Sequence, residues 1–280
     1  MISECKIMAR TNIRFETHSH THNSSDSDAS IYEMCKAAAD MGLSSIAFTD
    51  HYDLTESDIA RDGRPKDYKL RGYDEIIKYR AEFEDRLKVY IGAEIGGIVY
   101  YPEFTKHMLE NNDFDVVIGS LHGLKDEPQF YETDFTAIDY NKKLEEYFKV
   151  LYEQSKLEFY DILAHLDYPV RYVITSGLKP DLSLYSDYID EILKSVAQNG
   201  KALEINTSRL DKQLFRTQPD ADIIKRFYEL GGEFITIGSD AHTPKNIASG
   251  FDAAVEIAYR AGFKYITYFE KRTPKTVKIY

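Results

Sequence analysis

With 280 residues, 43% of them hydrophobic and 29% charged, the chain has the size and composition of a globular domain with a sizeable core, which excludes a disordered protein. A formal charge of -12 argues against non-specific nucleic-acid binding, which needs a basic face to displace counterions. It does not exclude an anionic substrate, because bound cations can reverse the field inside one cleft.

Runs rich in Ile, Val, Phe and Tyr predict strands over 12–20, 44–51, 88–96, 114–122, 159–166, 201–207 and 234–240. Helical spacing falls between them at 29–41, 74–87, 142–156, 183–199, 220–230 and 247–261. Ser27 or Asp28 is placed to cap the first of these helices, which begins near Ala29. Leu184, Ile189, Ile192, Leu193 and Val196 share one stripe of the fourth. Gly42, Gly200, Gly231 and Gly262 each stand just past a periodic segment, as helix C-caps require. The polar segment 52–73, with Arg61, Arg64, Lys66 and Arg71, reads as a loop over the end of the second strand, either a solvated connector or a substrate lid.

Alternating strands and helices imply parallel strands joined by crossovers, and seven strands suggest a (β/α) barrel near the usual eight-strand size. A last run, Tyr265 to Glu270, is predicted to add an edge strand. No repeat or linker interrupts the chain, so residues 1–280 are taken as a single domain. Cys5 and Cys35 form no CxxC pair and suit reduced thiols, and no run approaches the roughly 18 apolar residues of a membrane span. The expected setting is cytoplasmic, with no membrane partner.

Seven apolar runs end in residues that bind metal: His18 and His20, Asp50 and His51, Glu94, His122, His165, Glu204, and Asp240 and His242. Six of the eight histidines lie at such points. Successive strand ends of a parallel barrel meet at one rim, so these side chains should converge there. His18 and His20 lie two apart on a strand and share a face. The turn that follows, Asn23 to Asp28, can return the carboxylate of Asp26 to the same cluster. Carboxylate with imidazole and no thiolate suits Zn, Mn or Fe(II). His107 is expected on the surface.

The order His18-Ser-His20, Thr49-Asp50-His51, Gly92-Ala93-Glu94, Ser120-Leu121-His122, Ala164-His165-Leu166-Asp167, Glu204-Ile-Asn-Thr-Ser208 and Gly238-Ser-Asp240-Ala-His242 resembles the polymerase-and-histidinol-phosphatase (PHP) superfamily from about residue 12 to the end. Within it the chain looks most like the monofunctional histidinol-phosphate phosphatases. The resemblance implies a distorted (β/α)7 barrel with two or three divalent metals (Zn, Mn or Fe) at the C-terminal rim of its strands. It assigns His18, His20, Glu94 and Asp240 to a first metal and makes Glu94 a bridge to a second, completed by His122 and His165. Asp26, His51 and His242 then hold a third, and His22 stays outside.

The resemblance further implies hydrolysis of L-histidinol phosphate to L-histidinol and phosphate, by attack of a hydroxide that bridges two metals. Arg171, six residues past His165, lies where these phosphatases place a phosphate-contacting arginine. Asp240 or His242 would assist the leaving alkoxide. Asp50, Glu204 and the Tyr-bearing loops at 52–73 and 168–172 are candidates for the substrate's amine and imidazole. Three divalent ions would outweigh Asp26, Glu94 and Asp240 and leave the site positive. Two departures stand out. Glu16 replaces the usual Asp two before the first ligand, and Arg209 stands where Gly is frequent, either reaching substrate or solvated. Alternatives are a PHP phosphoesterase for another small phosphate or nucleotide, and a non-catalytic scaffold. The oligomeric state is not legible.

Overall fold

A computed structural model of the chain describes residues 14–53, 70–210 and 214–280. In chain order the elements are β1 (Phe15–Ser19), α1 (Ile31–Asp40), β2 (Ser45–Phe48), β3 (His51–Asp53), α2 (Tyr73–Glu82), β4 (Lys88–Gly96), α3 (Pro102–Glu110), β5 (Val116–Ser120), α4 (Tyr140–Ser155), β6 (Ile162–Leu163), α5 (Val170–Thr175), α6 (Ser186–Gln198), β7 (Ala202–Asn206), α7 (Ala221–Glu229), β8 (Phe234–Gly238), α8 (Phe251–Ala261), β9 (Tyr265–Glu270) and β10 (Thr273–Lys278). The first eight strands form one parallel sheet in the order β1-β2-β4-β5-β6-β7-β8, with β3 continuing the β2 position against β4. Past the end of β8 the chain reaches β1: Asp240 N donates to His18 O and His20 N to Ala241 O, both at 2.9 Å. These bonds bring the two edge strands together, giving the expected seven-position barrel.

Period-two alternation sorts the strand residues. Val89, Ile91, Ala93 and Ile95 of β4 face the helices, as do Leu203 and Ile205 of β7 and Ile235 and Ile237 of β8. The alternate positions Tyr90, Val116, Ile118, Ile162, Ala164 and Ala202 form a smaller apolar cluster inside the barrel. Continuing those inward series toward the C-terminal ends brings Glu94 and Glu204, both fully buried. The interior therefore changes from an apolar floor to a polar rim within one strand length.

The floor is closed by β9 and β10, an antiparallel hairpin separate from the barrel sheet, with Phe269 in the inner cluster. This corrects the edge strand expected at Tyr265–Glu270. The two-residue turn Lys271-Arg272 has φ of 50° and 59°, as in the hairpin turn that suits twisted strands. It aims Arg272 Nε at Asp161 Oδ2, 2.5 Å away, while Lys271 N donates to Asp115 Oδ1 at 3.2 Å.

Gly42, Gly200, Gly231 and Gly262 all have positive φ, and the following amide in each case bonds back five residues, as Leu43 N does to Ala38 O at 3.0 Å. Other expectations need adjustment. The first helix is capped by Ser30, which accepts from Glu33 N in a reciprocal box, not by Ser27 or Asp28. The strand expected over 159–166 is only two residues of ladder, because the chain turns sharply at His165, whose φ is +24°. Leu184 is 64% exposed, since a 3-10 turn at Leu182–Tyr185 precedes α6 and rotates it off the stripe. Two short helices, α3 and α5, escaped the periodicity. Most of the 52–73 segment, including Arg61, Arg64 and Lys66, lies outside the described residues.

Candidate metal centre

At the rim, the inward positions of six strands bring their imidazoles and carboxylates together. His18 Nε2 lies 3.1 Å from His20 Nε2, 3.2 Å from Glu94 Oε2 and 3.7 Å from Asp240 Oδ1. His20 Nε2 lies 3.5 Å from Glu94 Oε2 and 3.1 Å from Asp240 Oδ1. Donors around a tetrahedral zinc at 2.0–2.1 Å stand about 3.3 Å apart, so these separations fit one cation. The other oxygen of the same carboxylate, Glu94 Oε1, is 2.8 Å from His165 Nε2 and 3.1 Å from His122 Nε2. A third group has Asp26 Oδ2 at 3.0 Å from His242 Nε2 and 3.6 Å from His51 Nε2. The His20 ring stacks at 4.2 Å on both His51 and His242.

Glu94 Oε2 and His51 Nδ1 lie 2.8 Å apart yet, both buried, make no hydrogen bond. Leaving a buried carboxylate oxygen unpaired is costly, and a divalent cation beside Glu94 satisfies it. The residues therefore fit a multinuclear metal cluster. Burial alone would raise the Glu94 pKa; the imidazoles of His18, His122 and His51 reverse that and hold it well below the carboxylate range. The ligand side chains rest partly on strained backbone, with Asp240 in the left-handed region at φ +53°.

Behind the imidazoles stands a second layer of acids. Glu204 Oε1 holds His18 Nδ1 at 2.6 Å, and its Oε2 accepts from His165 N at 3.1 Å. Gly238 leaves room for this pair, since a Cβ there would collide with both side chains. Asp50 accepts from Thr21 N at 2.6 Å and from Ser24 Oγ at 2.7 Å, and Ser24 in turn meets His20 Nδ1 at 3.1 Å. Glu204 and Asp50, expected at the substrate, therefore lie behind His18 and His20 with their oxygens engaged. Glu204 is an inward acid set below the rim, while Asp50 lies on the opposite face from His51 and reaches His20 through Ser24. Glu16 braces the backbone instead, accepting from His18 N at 3.1 Å and Ser239 N at 3.0 Å. Asp53, not singled out in the sequence, places Oδ1 2.8 Å from His122 Nδ1. Its signal was the same two-residue alternation that pairs His18 with His20.

The cluster opens into a cavity of about 580 Å³ lined by Asp26, His51, His122, His165, Asp240 and His242 on one side and by Tyr131, Tyr168, Arg171, Tyr172 and Arg209 on the other. Arg171 lies over the rings of Tyr168 at 4.0 Å and Tyr172 at 4.7 Å. Its Nη2 donates to Tyr172 Oη at 2.7 Å and its Nη1 to Gln218 Oε1 at 3.4 Å. Arg209 Nε is buried without a hydrogen-bond partner. His22, paired with Glu75 at 3.3 Å, and His107, beside Asn111 on α3, stay outside the cluster.

The charge balance differs from the expected one. Asp26, Glu94 and Asp240 are joined by Asp50, Asp53 and Glu204 immediately behind the imidazoles. Together these carboxylates would cancel three divalent cations, so the positive charge left to the cleft is that of Arg171 and Arg209.

A family profile described as "PHP domain" matches residues 16–208. A probable histidinol-phosphatase of Clostridium acetobutylicum is 34% identical, the match covering 93% of this chain and 98% of that one. A histidinol-phosphatase of Lactococcus lactis is 30% identical over 91% of this chain and 94% of its own. Among solved structures, the histidinol phosphate phosphatase of Lactococcus lactis, complexed with zinc, L-histidinol and phosphate, superposes with a TM-score of 0.75 at 27% identity, covering 94% of this chain and 99% of that one. With its strand-end imidazoles and carboxylates gathered at one barrel rim, and with these similarities over nearly its whole length, the chain belongs to the PHP domain family.

Proposed function

We propose that the protein hydrolyses L-histidinol phosphate to L-histidinol and inorganic phosphate, a phosphomonoesterase step of histidine biosynthesis. The observation that carries this reading is Arg171. It faces the cavity across from the imidazoles, held by a tyrosine hydroxyl and an amide, with no ion pair to a carboxylate among the described residues. A guanidinium with its charge uncompensated suits the paired oxygens of a phosphate. The similarity to histidinol-phosphatases supplies the substrate.

His18, His20, Glu94 and Asp240 would hold a first cation, His122 and His165 a second shared through Glu94, and Asp26, His51 and His242 a third. Such ions lower the pKa of bound water and draw charge from phosphoryl oxygens. Arg171 and Arg209 orient the ester and offset charge on its equatorial oxygens. His242 has both nitrogens engaged, Nδ1 with Asp240 O at 2.9 Å and Nε2 facing Asp26. Asp240 Oδ2 has only a 3.3 Å contact from Asn206, so Asp240 is the better placed to take a proton from the attacking water and hand it on to the leaving alkoxide. The exposed ring of Tyr131 and the carboxylate of Asp26 border the cavity where the leaving group's imidazole and ammonium would lie. A cytoplasmic setting belongs to the same proposal. Among the described residues no helix is long and apolar enough to cross a membrane.

The test compares kcat/KM for L-histidinol phosphate with that for an aryl phosphate on the zinc-, manganese- or iron-loaded protein. A preference of about 10²-fold or more for histidinol phosphate is expected from a site that reads polar groups. Equal values would remove the substrate assignment while leaving the phosphatase.

A further inference from the structure

We infer that Asp53 is a positioning residue for the second cation group, acting through His122. The inference rests on reading Glu94, His122 and His165 as that group, and it extends the reading to a residue outside every ligand set above.

The three residues of β3 pair with β4 so that His51 lies beside Glu94 and Asp53 beside Gly96. Alternation sends His51 and Asp53 to the same face. There the two nitrogens of His122 divide their work: Nδ1 is held by Asp53 Oδ1 at 2.8 Å and Nε2 faces Glu94 Oε1 at 3.1 Å. A carboxylate on the far nitrogen fixes the tautomer, aims the lone pair of the near nitrogen and makes the ring a stronger donor. The backbone is built to allow this. A Cβ on Gly96 would collide with Asp53 Oδ1 and lie 3.4 Å from His122 Nδ1. The other imidazole of the group has no such support, since His165 Nδ1 is buried without a hydrogen-bond partner. Of the two imidazoles in the group, His122 is therefore the one whose orientation a carboxylate fixes.

A direct ligand role is the competing geometry, because His51, Asp53 and His122 offer atoms within 4.8 Å of one another. The 2.8 Å separation from His122 Nδ1 is that of a charge-assisted hydrogen bond. His122 turns Nε2, not Nδ1, toward Glu94 Oε1, so a cation held with Glu94 and His165 takes Nε2 and leaves the Nδ1 proton to Asp53.

The experiment uses the full chain without substrate. Wild type, Asp53→Asn and Asp53→Ala are loaded with zinc and titrated against a chromophoric chelator, with folding followed by circular dichroism. Both variants should keep the tightest zinc, and affinity for a second should fall by about 10–100-fold. The loss should be smaller for Asn, whose oxygen still accepts from His122 and whose shape keeps the fold if Ala does not. In the cobalt(II)-loaded Asp53→Asn protein the visible band intensity should match wild type, because the number of donor atoms is unchanged. Unaltered affinity in Asp53→Asn, or equal weakening of every zinc, would overturn the inference. So would a cobalt spectrum showing a lost donor, which would make Asp53 a ligand. A wild-type protein that takes up only one zinc would overturn the cation grouping itself, and the inference with it.

Discussion

Arg171 and Arg209 border the cavity from different strand ends, and neither forms an ion pair with a carboxylate among the described residues. Because the six carboxylates in and behind the cluster would balance three divalent cations, these two guanidiniums would set the sign of the field that a phosphate dianion meets. Arg171→Ala should lower kcat/KM for histidinol phosphate by about 10²-fold, the scale of one strong transition-state contact. Arg209→Ala should cost a comparable factor, and Lys at 171 should recover only part, having no planar fork. Steady-state kinetics on the three variants checks this; a wild-type value for Arg209→Ala would return that residue to solvent. Arg171 was singled out by its distance past His165, whereas the turn after β7 that brings Arg209 to the cavity wall was not legible in the sequence. Asp50 and Glu204 show the opposite case. Their type and strand-end position were readable, while their placement behind His18 and His20 depends on Gly238 and on the Thr21–Ser24 turn, which are matters of packing.

At the scale of elements, the strands were legible wherever an apolar run was long enough to show itself and ended in a ligand. What escaped was ladder length, as in β6, and the destination of β9. A hairpin turn is usually announced by Asn-Gly or Asp-Gly, and Lys271-Arg272 carries no such signal despite its positive φ. The gain that offsets this backbone strain is the anchoring of the floor, where Arg272 meets the buried Asp161 and the backbone of the turn meets Asp115. Arg272→Ala leaves Asp161 buried without its cation, so the variant should lose about 3 kcal/mol of stability. Its kcat should stay near wild type, because the floor lies at the opposite end of the strands from the cavity. Denaturant midpoints together with turnover numbers test the separation; a large loss of kcat in a fully folded variant would contradict it.

For the molecule as a whole, the rim is a concentration of charge that the fold alone leaves incompletely paired. Exhaustive chelation should abolish phosphatase activity, with recovery on adding zinc, manganese or iron(II), and it should also lower the Tm. Any ion that binds only the folded chain stabilises it, by about 4 kcal/mol at a thousandfold excess over its Kd. Activity that survives with no metal left by elemental analysis would end the account. The shape of the recovery follows from Glu94. One of its oxygens faces His18, His20 and His51, and the other faces His122 and His165. A single carboxylate shared in this way couples the two groups thermodynamically: an ion on one oxygen changes the affinity of the other half of the cluster, and by linkage the second ion changes that of the first by the same factor.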